Sequence, residues 1–456
     1  MKGIFTMQRE NDFTTGKILS PLLRFMLPVF LAMFLQSMYG AVDLMIVGKF
    51  AEAADVSAVS TGSQIMMTLT NLVTSFAMGT TILLGRRIGE GNGKEGGRVI
   101  GGSICLFALI AGAMTLLVPL ISPLLARVMH APEEAFARTV GYIRICGLGS
   151  ALIIAYNLIG SIFRGIGDSR TPLVTVLIAC VCNIAGDLLL VAVFHMGTAG
   201  AAAATVAAQG VSVVCSLFLM RRRTLSFSLG KEDLRFDGAV IRQVSTLGLP
   251  IALQDLLVGI SFLVLLAIVN SLGLIASAGV GVAEKVCGFI MLIPSAFMQA
   301  MAAFVAQNMG AKRYDRARKA LFYAVGVSTA LAVLMFALTF FRGDLLSSVF
   351  ANDPQVIEAS AEYLKAYAID CLLTCFLFCF VGFFNGLGKT RFVMLQGLIG
   401  AFGVRIPVAL LMRREVPVSM FHMGLATPCA TVIQVAMCLV CFYRVTKKSR
   451  EAGGNF

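Results

Sequence analysis

The sequence predicts an all-α integral membrane protein, with twelve transmembrane helices in two pseudo-symmetric six-helix lobes around a central cleft. Three observations lead there. The first is composition. Of 456 residues 58% are hydrophobic and only 13% charged, with a mean hydropathy of +0.87. A soluble domain carries about 25% charged residues. The second is pattern. Apolar runs of about 20 residues recur, the length a membrane helix needs, without the alternation of a barrel strand. The third is an internal repeat. Shifting the chain by 221 residues lays Phe163-Arg164-Gly165-Ile166-Gly167-Asp168-Ser169-Arg170 on Phe384-Asn385-Gly386-Leu387-Gly388-Lys389-Thr390-Arg391. Tyr142 falls on Tyr363, Arg144 on Lys365 and Gly89 on Gly310.

Spans are expected near residues 20–47, 55–84, 98–126, 136–163, 170–194 and 199–220, then 243–268, 276–306, 317–341, 357–384, 392–412 and 419–443. Pro28, Pro119, Pro172, Pro250, Pro294 and Pro407 fall inside them, where a lost backbone hydrogen bond bends a helix. The glycine-rich stretch from Leu84 to Arg98 reads as helix-capping turns rather than a phosphate cradle. The polar segment Arg221 to Arg242 separates an N-terminal lobe, residues 1–220, from a C-terminal lobe, residues 243–456. Six spans lie between equivalent positions, so the halves share one orientation. Such a parallel repeat suits two bundles rocking about a central path.

The formal net charge is +13. With an inside N-terminus, most Lys and Arg fall in alternate loops, among them Arg86, Arg87, Lys94, Arg221 to Arg223, Lys312, Arg313, Arg316 and Lys447. This is positive-inside bias, and no nucleic-acid partner is expected. Both termini are expected in the cytoplasm, the first span acting as an uncleaved start of insertion. The twelve cysteines are scattered, without a disulfide or zinc framework. Cys371, Cys375 and Cys379 share one helical face, a spacing that suits small packing residues.

Acids within the spans single out candidate sites. Asp43 closes the run Leu27 to Phe50, and a carboxylate in a lipid-embedded helix costs roughly 3 kcal/mol. Gln36 and Tyr39 lie seven and four residues earlier, on the same face. That face should look into protein or water. Its acid is either an interhelical hydrogen-bonding group or a proton or cation site of a transporter. Asp187, with Asn183 four residues before it, lies at similar depth in the same lobe. Two carboxylates in a dry pocket repel each other, and a shared proton or a small cation resolves the repulsion. Two separate packing hydrogen bonds are the plain alternative. In the second half the acids are Asp255, Glu284, which adjoins Lys285, and Asp370, which follows Tyr363 and Tyr367. The 23 methionines include Met66, Met67, Met291, Met298 and Met301 in spans that can face the central path, where thioethers repack around varied ligands.

Several stretches resemble the multidrug and toxic compound extrusion (MATE) family of bacterial transporters. They are Val42 to Gly48, Phe163 to Pro172, Asn183 to Asp187, Met196 to Thr205 and Ala306 to Ala311, and the resemblance runs from about Ile18 to Tyr443. It implies two six-helix lobes with outward- and inward-facing states. It also implies export of organic cations and other amphipathic compounds, driven by inward Na+ or H+. It places a coupling-cation site at Asp43, Asn183, Asp187 and Thr205, and a substrate-facing set at Gln36 and Tyr39. Asp255 and Asp370 join that set as counterparts of acids in spans seven and ten of another branch. No cofactor beyond the coupling ion is expected. The partners are small molecules and membrane lipids, and the protein is expected to be a monomer in the bacterial plasma membrane. A lipid-linked oligosaccharide flippase is the rival reading; such proteins use a strongly basic cavity. Here Arg144, Lys285, Lys365 and Arg405 are the basic residues in or at the edges of spans. No paired His, Ser-Lys or HExxH pattern points to an enzyme.

Overall fold

A computed structural model of the chain describes residues 13–221, 230–414 and 418–451. The described residues form helices and turns, without strands. The first half contains α1 (Leu19–Phe50), α2 (Ala53–Gly89), α3 (Gly93–Val128), α4 (Glu133–Leu148), α5 (Ser150–Gly165), α6 (Arg170–Asp187) and α7 (Gly197–Arg221). The second contains α8 (Gly238–Asn270), α9 (Leu274–Ile290), α10 (Leu292–Gly310), α11 (Tyr314–Phe341), α12 (Gly343–Ser348) and α13 (Pro354–Gly386). It ends with α14 (Thr390–Leu398), α15 (Ile406–Met412), α16 (Met420–Gly424) and α17 (Ala426–Glu451).

Among the described residues eleven helical stretches are long and apolar enough to cross a membrane, and α4 with α5 makes a twelfth, bent by 55°. The bend falls at Gly149, where Val206 of α7 presses in: a Cβ on the glycine would lie 2.5 Å from a Val206 methyl. The expected span at 170–194 is α6 running straight into a π-helical turn, Leu188–Val193, directly after Asp187. Such turns often mark functional positions.

The repeat is legible at the helix ends. Gly167 and Gly388 both have positive φ, of 87° and 71°. The next amide reaches back five residues in each case, Asp168 N to Phe163 O at 2.9 Å and Lys389 N to Phe384 O at 2.8 Å. This is the Schellman closure of a helix C-terminus. The Gly89–Gly93 turn closes in the same way, with Gly91 at φ 72° and Asn92 capping α3.

The chain divides into two compact units. The first runs from Leu27 to Ala252; the second comprises Phe13–Met26 and the chain from Leu253 onward. The changeover therefore falls beside Pro28 within α1 and just after Pro250 within α8. The expected linker, Arg221 to Arg242, ends well inside the first unit. Residues 222–229, including Arg222 and Arg223, lie outside the described residues. The remainder makes a short 3-10 turn, Lys231–Asp233, and docks on α3 through an Arg98–Asp237 ion pair. In the second unit α13 is the central helix, packed by α9, α10, α11 and α17. Cys371, Cys375 and Cys379 are buried along it. Arg316 holds the start of the chain there, donating to the carbonyls of Phe13, Thr15, Gly16 and Lys17.

Candidate ion and substrate site

Four residues of the first unit come together. Asp43 on α1 and Asn183 and Asp187 on α6 are buried, and Thr205 on α7 is half-buried. Asp187, Thr205 and Asn183 are the polar neighbours of the Asp43 carboxyl. Asn183 Nδ2 donates to Thr205 Oγ1 at 3.4 Å, and Thr205 Oγ1 donates to the Ala201 carbonyl at 3.0 Å. Two carboxylates facing each other offer no hydrogen. Asp43 Oδ1, Asn183 Oδ1 and both oxygens of Asp187 accordingly receive no hydrogen bond. Four buried acceptor oxygens from a carboxylate pair and an amide, beside a hydroxyl, suit a small hard cation or a proton.

The local sequence explains the convergence. Gly186 and Ala204 let α6 and α7 approach until a Cβ on the glycine would meet the alanine methyl at 3.0 Å. Small residues at such contacts let membrane helices pack closely. Asp43 points inward because Ile46 and Val47 on the same side of α1 are buried in an apolar cluster with Val59, Ile143, Ala201 and Ala202. By contrast Met45, on the opposite side, is 72% exposed.

Tyr39 lies one turn before Asp43 and has Gln36 and Gln209 as polar neighbours. A cavity of about 10 Å3, the size of one water site, is walled by Tyr39, Tyr156, Asn183, Thr205 and Gln209. The expected substrate residue Tyr39 and the expected ion ligands Asn183 and Thr205 thus share a wall. The sequence reading had missed Gln209 and Tyr156. Their signal was a polar residue in each of two apolar spans, and only the fold aims them at one point.

The second unit brings together a different set. Asp370 on α13 is buried and accepts from Thr374 Oγ1 at 2.8 Å, with Thr431 and Arg405 as further neighbours. Arg405 is buried too, donates to Ser261 Oγ at 2.8 Å and lies 4.0 Å over the Phe262 ring. Asp255 is exposed on α8 and is not among the neighbours of Asp370. Of the methionines expected at the central path, Met66 and Met301 are buried in their own units and Met67 is exposed.

The MatE family profile matches residues 28–189 and again residues 250–411. The chain belongs to the MatE family. Both ends of the match recur at a shift of 222 residues, so the internal repeat is two MatE units in tandem. The probable multidrug resistance protein YpnP of Bacillus subtilis is 26% identical over 395 residues, 86% of each chain. The multidrug export protein MepA of Staphylococcus aureus is 23% identical over 85% of this chain and 86% of its own. Among solved structures, an outward-facing multidrug resistance MATE transporter superposes with a TM-score of 0.89 at 18% identity, covering 96% of this chain and 98% of its own. A transporter of the same superfamily from Pyrococcus furiosus also reaches 0.89 at 18% identity, over 95% and 97%. The fold is therefore that of the MATE transporters, and the protein is a multi-pass membrane protein. Carried along the 222-residue shift, Asp43, Asn183 and Asp187 fall on Leu265, Arg405 and Ala409. The two MatE units share their helices but not their acids.

Proposed function

We propose that the protein exports organic cations and other drug-like amphipathic compounds in exchange for Na+ or H+, by alternating access. The reading extends to this chain what the names of YpnP and MepA say of those proteins. The observation that carries it is the cluster of Asp43, Asn183, Asp187 and Thr205, of which Asn183 and Thr205 share one water-sized cavity with Tyr39.

The cation enters from outside, helped by the membrane potential, which contributes about 2.3 kcal/mol per charge at 100 mV. It supplies the charge that the facing carboxylates of Asp43 and Asp187 lack. Filling the cluster draws α1 toward α6 and α7. Tyr39 and Gln36 move with it, and the substrate loses its contacts. Asp370, neighbour to Arg405, contributes to the substrate path, as Asp255 does from α8. The protein works as a monomer in the bacterial plasma membrane with both termini in the cytoplasm.

The test is ethidium efflux from proteoliposomes with Na+ and pH gradients imposed separately. Wild-type efflux follows one of the gradients, and Asp43→Asn loses that dependence at normal expression. Gradient-driven efflux by Asp43→Asn at the wild-type rate would sink the reading.

A further inference from the structure

We propose that the first unit contains a cation antechamber, separate from the Asp43 cluster, through which the coupling cation reaches it, with Tyr142 as the gate between the two. The proposal rests on the antiport reading and adds a route and a second binding place to it.

The chamber is a cavity of about 520 Å3 where α1 ends and α2 and α7 begin, an end the Lys and Arg distribution assigns to the outside. Glu52, Asp55, Arg138, Tyr142, His195 and Thr198 line it. The space accommodates a cation with a full first shell of water. Its polar wall is built, not incidental. Asp55 is more than nine-tenths buried. Its Oδ1 accepts from Thr198 Oγ1 at 2.6 Å and Thr198 N at 3.1 Å, and its Oδ2 accepts from Arg138 Nη1 at 2.7 Å. Arg138 Nη2 donates to Glu52 Oε2 at 2.6 Å. Two carboxylates thus face one guanidinium, so the carboxylates of the wall outnumber its guanidinium. Glu52 is 73% exposed and carries that excess charge to the mouth. A concave, negatively charged opening with low-dielectric walls concentrates cations.

Two residues of its lining, Tyr142 and Ala51, belong to an apolar cluster with Ile46, Val47, Val59, Ile143, Ala201 and Ala202. Val47 lies one turn beyond Asp43 on α1, and Ala201 one turn before Thr205 on α7. Tyr142 carries a polar group within that cluster. It lines the chamber, it shares the buried cluster of Val47 and Ala201, and Thr205, Asp43 and Tyr39 are among its neighbours. Its ring lies against Gly62 of α2, where a Cβ would come within 2.6 Å of Cδ1. The glycine gives the ring its place. The hydroxyl oxygen can ligate a passing cation, or the hydroxyl can give its proton on the cluster side while taking another from the chamber.

The test uses the full-length protein in proteoliposomes, with external Na+ and pH titrated in turn as the probes. Glu52→Gln raises the half-saturating external cation concentration at least threefold, and Glu52→Lys raises it further. Both effects fade in about 0.5 M impermeant salt, which screens charges beyond a few ångströms. Tyr142→Phe keeps the ring and slows saturated ion-driven export tenfold or more. If wild-type export ignores both gradients, the antiport reading fails and the route with it. If the wild type is ion-driven and Asp43→Asn is uncoupled, but both Glu52 variants titrate like wild type, the antechamber alone is overturned. A Glu52 shift combined with wild-type kinetics in Tyr142→Phe overturns the gate and the route. Thermal stability of each variant in detergent separates these outcomes from misfolding, and Glu52→Gln retains the size of the native side chain and one acceptor oxygen for Arg138.

Discussion

Gly186 of α6 faces Ala204 of α7 so closely that a Cβ on the glycine would stand 3.0 Å from the alanine methyl and 3.4 Å from its Cα. Asn183 and Asp187 flank Gly186 in sequence, and Thr205 follows Ala204. The ion cluster therefore depends on this one close approach. Gly186→Val forces the two helices apart, since Ala204 has no flexible end that can yield. The expected cost is about 1–3 kcal/mol of stability from overpacking. Ion-driven efflux should fall more than tenfold, because the Asn183–Thr205 bond is already at 3.4 Å and has no length to spare. Melting temperature and gradient-driven efflux measured on the same sample check both parts.

Asp55 ties three helices at one end of the first unit: its own α2, α4 through Arg138, and α7 through Thr198. Gly197 has φ 52°, and a Cβ there would meet Asp55 Oδ1 at 2.8 Å. Asp55→Ala leaves Arg138 without its buried partner and the start of α7 without a cap. The expected loss is about 2–3 kcal/mol, below the range for a fully buried pair because Arg138 is partly exposed. Denaturation in detergent should show it, and Asp55→Asn, which keeps an acceptor for Thr198, should lose less.

Asp237 joins the turn before α8 to α3. The Arg98 guanidinium bonded to it, with the amides of Val240 and Ala239, holds its carboxyl below the usual carboxylate range. A lowered folded value means that the contribution is complete above the unfolded pKa, about 3.9. It is lost as pH falls through the lower folded value. Amide hydrogen exchange over residues 231–240 should therefore be slow and constant at pH 5 to 7 and quicken below about pH 4, beyond the ordinary effect of pH on exchange. Asp237→Asn should give faster exchange at neutral pH and no further acid-induced loosening.

Lys312 closes the turn after α10 with φ 57°, where the equivalent turn after α2 has Gly91 at φ 72°. Arg313 N reaches back to Asn308 O at 2.8 Å, as Asn92 N does to Arg87 O at 3.2 Å. The left-handed conformation costs a non-glycine residue roughly 1 kcal/mol. Lys312→Gly is therefore expected to stabilise the protein by up to about 1 kcal/mol, less what glycine gains in the unfolded chain. A small rise in melting temperature checks this, and a fall would show that the lysine side chain contributes more than its backbone costs.

The ion ligands were legible because they are rare. A carboxylate among apolar residues is costly enough to mark itself, and Asp43, Asn183 and Asp187 stand in spans with little other polarity. Asp55 was not legible in that way. It sits at the start of its span, where an acid reads as an ordinary helix terminus, and Arg138 lies 83 residues away. Arg405 shows the same limit. Its partners Ser261, Phe262 and Asp370 come from two other helices, and nothing in its own stretch names them.

The sequence alone determined that the chain crosses a membrane many times, that its halves repeat, and that three polar residues of the first half, Asp43, Asn183 and Asp187, are out of place in lipid. These properties follow from transfer energies and helical period, which act residue by residue. Which side chains meet was decided only by tertiary structure. The Asp55–Arg138–Glu52 knot, the cavity shared by Tyr39 and Thr205, and the Asp370–Arg405 neighbourhood each join helices far apart in the chain. Close helix packing at positions such as Gly186 and Gly62 set those distances, and packing is a property of pairs of surfaces, not of any one stretch.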